Sequence, residues 1–308
     1  MSDYSSATVY CGPVLSSRVG LLWGLLGVAA FSFTLPFTRI AVGTLSPLFI
    51  GSARAVIAAV LAVLVLSVTR QRWPHRAQWA RLAIVSGGVV IGFPMLTSYA
   101  LDTASASHGA MVIGVLPAAT AIVAVVRGRE HPTPSFWVFA LLGAAAAIVF
   151  ASLQGGGFGQ LAWSDLLLFA AVIAAAFGYA EGGLLSRELG SWQTICWALV
   201  VAAPVMGLFT VIAIIEQSPS GGPAEWLSFA YLAVISMFLG FFAWYRGLAI
   251  GPITQVSQVQ LVQPVMGILW AALILGEQIS ISIALGGFAV ILCAGLAVRT
   301  RLYGKSRP

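Results

Sequence analysis

Gly251-Pro252-Ile253-Thr254-Gln255-Val256-Ser257-Gln258-Val259-Gln260-Leu261-Val262-Gln263-Pro264 runs on through Val265 to Leu275 and stops at Gly276-Glu277. The stretch is apolar and long enough to cross a bilayer, yet four glutamines crowd the half before Pro264. Each carboxamide carries two donors and an acceptor oxygen, all costly to leave unpaired in hydrocarbon. Such a segment should face protein, water or a ligand rather than lipid. The glutamines fall into two helical pairs, Gln255 with Gln258 and Gln260 with Gln263, on different faces. One pair can line a cavity while the other bonds a neighbouring helix.

Composition places this stretch in a membrane. Of 308 residues, 60% are apolar and only 8% charged, with a mean hydropathy of +0.99. A soluble globule carries about 25% charge. The net charge of +6 is scattered over joints and the C-terminus rather than gathered on a soluble module, which argues against nucleic acid as a partner. Three cysteines, Cys11, Cys196 and Cys293, are too few and too dispersed for a disulfide framework or a zinc site. No cleavable signal peptide is expected.

Ten helices are predicted, at about 19–42, 47–69, 81–101, 104–126, 134–152, 162–186, 191–215, 224–246, 252–275 and 279–298. Basic residues set the expected orientation. With the N-terminus in the cytoplasm, Arg18, Arg70, Arg72, Arg76, Arg81, Arg127, Arg129, Arg187, Arg246, Arg299, Arg301, Lys305 and Arg307 all fall inside. The opposite loops hold only Asp102, Glu216 and Glu277. Both termini are therefore expected in the cytoplasm. Four ionisable residues read as intramembrane: Arg39, Arg54, His108 and Glu181. Arg39 and Arg54 are expected to snorkel to the outer interface, with carboxylate binding or gating of the outer mouth as the functional alternative. Glu181 is expected to attract a substrate ammonium, to bind a coupling proton, or to pair with Arg246.

The second half of the chain echoes the first. Pro117 precedes Glu130 by thirteen residues, as Pro264 precedes Glu277; Leu101 and Leu248 each lie sixteen before their proline. Gly92-Phe93 and Gly240-Phe241 fall at nearly matching places. A repeat of five helices must enter the membrane the second time from the opposite side. Inverted repeats are an architecture of alternating-access transporters, with the site near the midplane between the halves. The expected organisation is a cytoplasmic tail at 1–18, repeats at 19–152 and 162–298, and a basic tail at 299–308.

Ser46-Pro47-Leu48-Phe49-Ile50-Gly51-Ser52-Ala53-Arg54-Ala55 resembles the Pro-to-Arg signature at the start of helix two in the drug/metabolite transporter superfamily. Gln263-Pro264, Gly276-Glu277 and Gly286-Gly287 are similar to that superfamily's helix nine to ten signature, in the branch built from two EamA-type repeats. The first half departs from the pattern, since Glu130 sits in an unusually basic turn and about three extra residues precede Gly143. Within the branch the chain is most similar to the YddG-type amino-acid exporters. The resemblance implies a central cavity formed by helices one, three, four, six, eight and nine. Placed on those helices, the substrate-binding candidates are Tyr99, His108, Trp163, Tyr179, Glu181, Trp244, Tyr245, Gln255, Gln258, Gln260 and Gln263, with Thr34 and Thr38 on helix one. The aromatic members can stack on a solute or simply pack.

Pro36, Pro94, Pro117 and Pro264 interrupt helices and read, with Arg39 and Arg54, as gating or structural positions. Gly20/Gly24, Gly88/Gly92 and Gly178/Gly182 read as close-packing pairs. No Walker loop is present, so transport would be secondary. With no cofactor implied, the expected function is export of small metabolites, foremost amino acids, across a bacterial inner membrane. The aspartates Asp3, Asp102 and Asp165 read as isolated, which disfavours a membrane enzyme. A channel, or a carrier of drugs or other metabolites, is the alternative. A monomer suffices for this reading.

Overall fold

The computed structural model describes residues 17–128, 162–251 and 256–278, with individual helical residues between 134 and 145 and between 281 and 296. The regular structure among the described residues is all helical, without a strand. Seven helices are long and apolar enough to cross a membrane: Arg18–Ala41, Pro47–Val68, Arg76–Thr103, Ala106–Ala124, Trp163–Leu189, Ser191–Glu216 and Pro223–Ile250, joined by the shorter apolar Val259–Leu275. These are helices one to four and six to nine of the sequence reading. Helices five and ten, the two tails, Glu130 and Gln255 lie outside the described residues, apart from isolated positions.

Local chemistry explains the ends. Helix two starts where Ser46 accepts a hydrogen bond from the Phe49 N–H at 3.2 Å, with Pro47 in the first turn. Helix three begins at Arg76, five residues before the expected start at 81, because the Gln78 side chain accepts from the His75 N–H at 2.9 Å. That shift places Arg81 in the second turn of the helix rather than at its first residue. Arg187 and Arg246 also lie on helices, in Trp163–Leu189 and Pro223–Ile250.

Four of the irregular helices match in pairs. Helix three carries a π-helical turn at Ser86–Gly92 and helix eight one at Leu232–Leu239, each followed by a regular helix. Helix four breaks between Ala106–Ile113 and Leu116–Gly128; helix nine passes from a 3-10 turn, Ser257–Leu261, into Val262–Leu275. Each of these two breaks is followed within three residues by its proline, Pro117 or Pro264. Proline has no N–H, so the carbonyls of Ile113 and Gln260, four residues earlier, lose their helical donor.

The principal helix pairings are kept when the halves are exchanged. Helix one packs on helix eight, and helix three on helix six; helix one meets helix nine, and helix six meets helix four. Helices two and seven pair with each other, as do four and nine. Glycines permit the closest crossings. A Cβ at Gly20 would stand 2.8 Å from the Gly251 Cα, and one at Gly88 would stand 2.4 Å from the Ala174 carbonyl oxygen. Without a hydrophobic drive in lipid, this close backbone approach supplies van der Waals contact.

Candidate functional site

Helices one, four and nine enclose a narrow cavity with room for about one water, lined by Ser32, Ile113, Pro117, Gln260, Gln263 and Pro264 among others. A second, little larger, is lined by Thr34, Arg54, Pro94, Tyr179, Ser236 and Gln263, with Phe31 and Phe241 as walls. Phe31 and Gln263 belong to both, so the two adjoin at these side chains and mark an interrupted path across the middle of the bundle. The breaks in helices four and nine face each other here, which puts backbone carbonyls without helical donors beside the carboxamides. In hydrocarbon, irregular backbone is tolerated only where it lines a cavity or is buried in protein.

The polar side chains of this path come from several elements. Gln260 is buried, and neither its amide nitrogen nor its oxygen has a partner among the described residues. Thr34 on helix one and Ser236 in the π turn of helix eight bond to each other at 2.8 Å. Ser32 accepts from the Trp270 Nε1–H at 3.0 Å and donates to the Ala29 carbonyl at 2.7 Å. Tyr179 is buried between Phe31, Phe241 and Trp244, with ring centroids 5.4 Å from Trp244.

Arg54 does not snorkel. It is 1% exposed, against the expectation of an interfacial head group. Its helix is sealed by helices three, seven and eight, so the guanidinium turns inward to the cavity. Arg39, in contrast, reaches the end of helix three, donating to the Leu101 and Asp102 carbonyls at 2.7 Å each. Cations favour such helix C-termini.

Glu181 is not in the path. The expected pairing with Arg246 is replaced by two arginines on other helices: Arg81 of helix three, and Arg127 of helix four at 2.5 Å and 2.9 Å. Arg81 also holds Glu188 at 2.6 Å. Helices three, four and six are thus tied at the arginine-rich end. Asp165, read from sequence as isolated, accepts from or donates to His108 at 2.6 Å and accepts from the Ala162 N–H at 3.0 Å. His108 is thereby engaged between helices four and six and does not line either cavity.

At the same end as Asp165, Glu277 accepts from the N–H groups of Ala106 and Ser107 at 2.8 and 2.9 Å. Gly276 makes this possible: its φ of +66° turns the chain back at the end of helix nine. A carboxylate suits a helix N-terminus, whose N–H groups lack helical partners.

The remaining candidates divide. Tyr179, Gln260 and Gln263 line the path, as do Pro94, Pro117 and Pro264. Tyr245 packs between helices, donating to the Gly178 carbonyl at 3.1 Å, and Trp244 is wholly buried beside Gly27. Tyr99 and Trp163 are outward-facing, 44% and 73% exposed, so neither reaches the cavities. Thr38 is buried without a partner among the described residues, and Pro36 follows the break of helix one at Phe33. Gln255 and the side chain of Gln258 lie outside the described residues. Sequence reasoning missed Arg81, Arg127 and Asp165 as partners of Glu181 and His108. Their positions on matching membrane sides were the available signal for the pairing.

Comparison with known proteins fits this architecture. The model of the EamA-like transporter family matches twice, over residues 18–152 and 162–299. An uncharacterized transporter of Bacillus subtilis (strain 168), YdeK, is 43% identical over 280 residues, covering 91% of this chain and 97% of that protein. The aromatic amino acid exporter YddG of Ancylobacter novellus is 25% identical over 92% of this chain and 94% of its own length. A solved crystal structure shares the fold, with a TM-score of 0.65 at 20% identity, over 94% of this chain and 100% of that one. Apolar spans, a polar path through their middle and a family match to both halves give one answer: the chain is an integral membrane transporter, not an enzyme, and belongs to the EamA-like transporter family of the drug/metabolite transporter superfamily.

Proposed function

We propose that the protein exports small metabolites, foremost amino acids, across a bacterial inner membrane by alternating access between two inverted five-helix repeats. The observation that carries this reading is the meeting of two broken, proline-bearing helices, four and nine, at a polar path in mid-membrane. Broken helices around a midplane site are what a carrier needs, because they let binding groups move without unfolding the bundle. The matched π turns of helices three and eight and the exchange-symmetric helix pairing support the repeats at 19–152 and 162–298. The asymmetry of arginines between the two ends supports cytoplasmic termini. The distant relative named as an aromatic amino acid exporter supports the substrate class.

The cavities are narrow, and the ion pairs of Glu181 tie the arginine-rich end, so a solute enters only when helices three, four and six part there. The test is counterflow of labelled amino acids in proteoliposomes, with and without a pH gradient. Saturable exchange by well-folded protein is expected, and exchange without any gradient would make it a facilitator. Unsaturable flux would favour a channel, and the absence of any amino-acid flux would remove the exporter reading.

A further inference from the structure

Arg54 is the cation in the described bundle whose charge the fold leaves unanswered at a cavity. The ion pairs of the described residues use Arg81, Arg127 and His108, and Arg39 and Arg187 reach backbone carbonyls. Arg54 has only Thr97 Oγ1, 3.5 Å from Nη2, and its Nε has no partner among the described residues. The Thr97 hydroxyl is committed as a donor to the Phe93 carbonyl at 2.7 Å, so it offers Arg54 a lone pair and no charge. A guanidinium stays protonated and carries five donors. Held 1% exposed within a membrane-crossing helix, it is an unfavourable arrangement that a bound anion would relieve.

We propose that Arg54 binds the carboxylate of the transported solute, and that the site recognises that carboxylate without recognising an amino group. The proposal rests on the carrier reading and names its substrate class: small monocarboxylates with an apolar or aromatic body. The planar fork of the guanidinium matches a carboxylate through two parallel hydrogen bonds. Phe31, Tyr179 and Phe241 supply a wall for the apolar body, and Gln263, Thr34 and Ser236 supply neutral polar contacts. None of the described residues lining either cavity is acidic, and Glu181 is already held by two arginines. A solute's ammonium therefore finds no counter-charge, whereas its carboxylate does.

The test uses the full-length protein in detergent, with thermal stabilisation by four probes at matched concentration: phenylalanine, 3-phenylpropionate, phenylalaninamide and phenethylamine. Chloride and gluconate salts serve as further arms. The two acids are expected to stabilise wild type saturably and to similar extents, with the amide and amine inert. Arg54→Gln should weaken acid binding at least tenfold, and Arg54→Lys should fall between. Stabilisation by the amine equal to that by the acids would overturn the proposal. So would unchanged acid affinity in Arg54→Gln, an effect reproduced by chloride alone, or no effect of any probe on wild type. Should Arg54→Gln not fold, the ligand series on wild type decides by itself. Acid binding without counterflow would refute the carrier reading and leave the carboxylate site standing. Counterflow of a carboxylate-free amine, unaffected by Arg54→Lys, would do the reverse.

Discussion

Replacing Gly88 by alanine tests the helix three–helix six crossing. A Cβ there would meet the Ala174 carbonyl oxygen at 2.4 Å and the Gly178 nitrogen at 2.9 Å, where ordinary contact begins at 3.4 Å. Both obstacles are backbone, so no side-chain rotation relieves them; helix three must retreat by about 1 Å at the closest point. The same crossing holds Gly178, whose own Cβ would stand 2.5 Å from Val89 Cγ1. Overpacking of this kind costs about 1–3 kcal/mol. For a chain of 308 residues, with an unfolding entropy of about 2.1 cal/mol/K per residue, that corresponds to a fall in Tm on the order of 1.5–5 °C. The neighbouring Gly87 is the control, because it is exposed and a Cβ there meets nothing within 4 Å. Gly87→Ala should be neutral or stabilising by up to about 1 kcal/mol, as alanine is the better helix former. The assay is thermal unfolding of both variants in one detergent, followed by tryptophan fluorescence. Equal Tm values for Gly88→Ala and wild type, or an equal loss in Gly87→Ala, would refute the crossing as described.

Other perturbations separate the remaining roles. Gln263→Leu, at the junction of the two cavities, should lower transport at least tenfold, roughly the loss of one to two hydrogen bonds, while Tm changes little. Glu181→Gln should destabilise by about 1–2 kcal/mol, less than a fully buried pair because Arg127 can rehydrate. It should also raise cysteine-labelling rates at the arginine-rich end, and unchanged labelling would sink its role as a tie. Glu277→Gln removes the charge from the cap on Ala106 and Ser107 and should cost about 1 kcal/mol; hydrogen exchange at those two amides would report it. Trp163→Ala should leave counterflow unchanged, since its side chain faces outward. A transport defect with normal Tm would place it back in the path.

Part of the cavity lining was legible in the chain. The glutamine-rich run pointed to a wet element, and its partner in the first half followed from the spacing of Pro117 and Pro264 to their glutamates. Gln260 and Gln263, three residues apart, line the cavity together as one helical pair would. Spacing could not rank Tyr99 against Tyr179, because both are aromatic residues on helices assigned to the cavity. Only packing shows one exposed and the other among Phe31, Phe241 and Trp244.

Hydropathy and the arginine pattern by themselves determine a polytopic helical protein, because a bilayer admits few ways to satisfy backbone polar groups and charge is costly within it. The repeat is likewise written in short-range spacing. Tertiary structure alone decided which charges answer each other: Glu181 meets Arg81 and Arg127 rather than Arg246, and Asp165 meets His108. Those partners lie 54 to 107 residues apart or more generally on different helices, counting Glu188 with Arg81. No local period encodes such distances. Arg54 makes the same point, since its sequence position near a helix start suggested the interface, and the helices packed around it turned it inward. The physical reason is that hydropathy is a property of one segment, whereas compensation of a buried charge belongs to whatever the fold brings beside it.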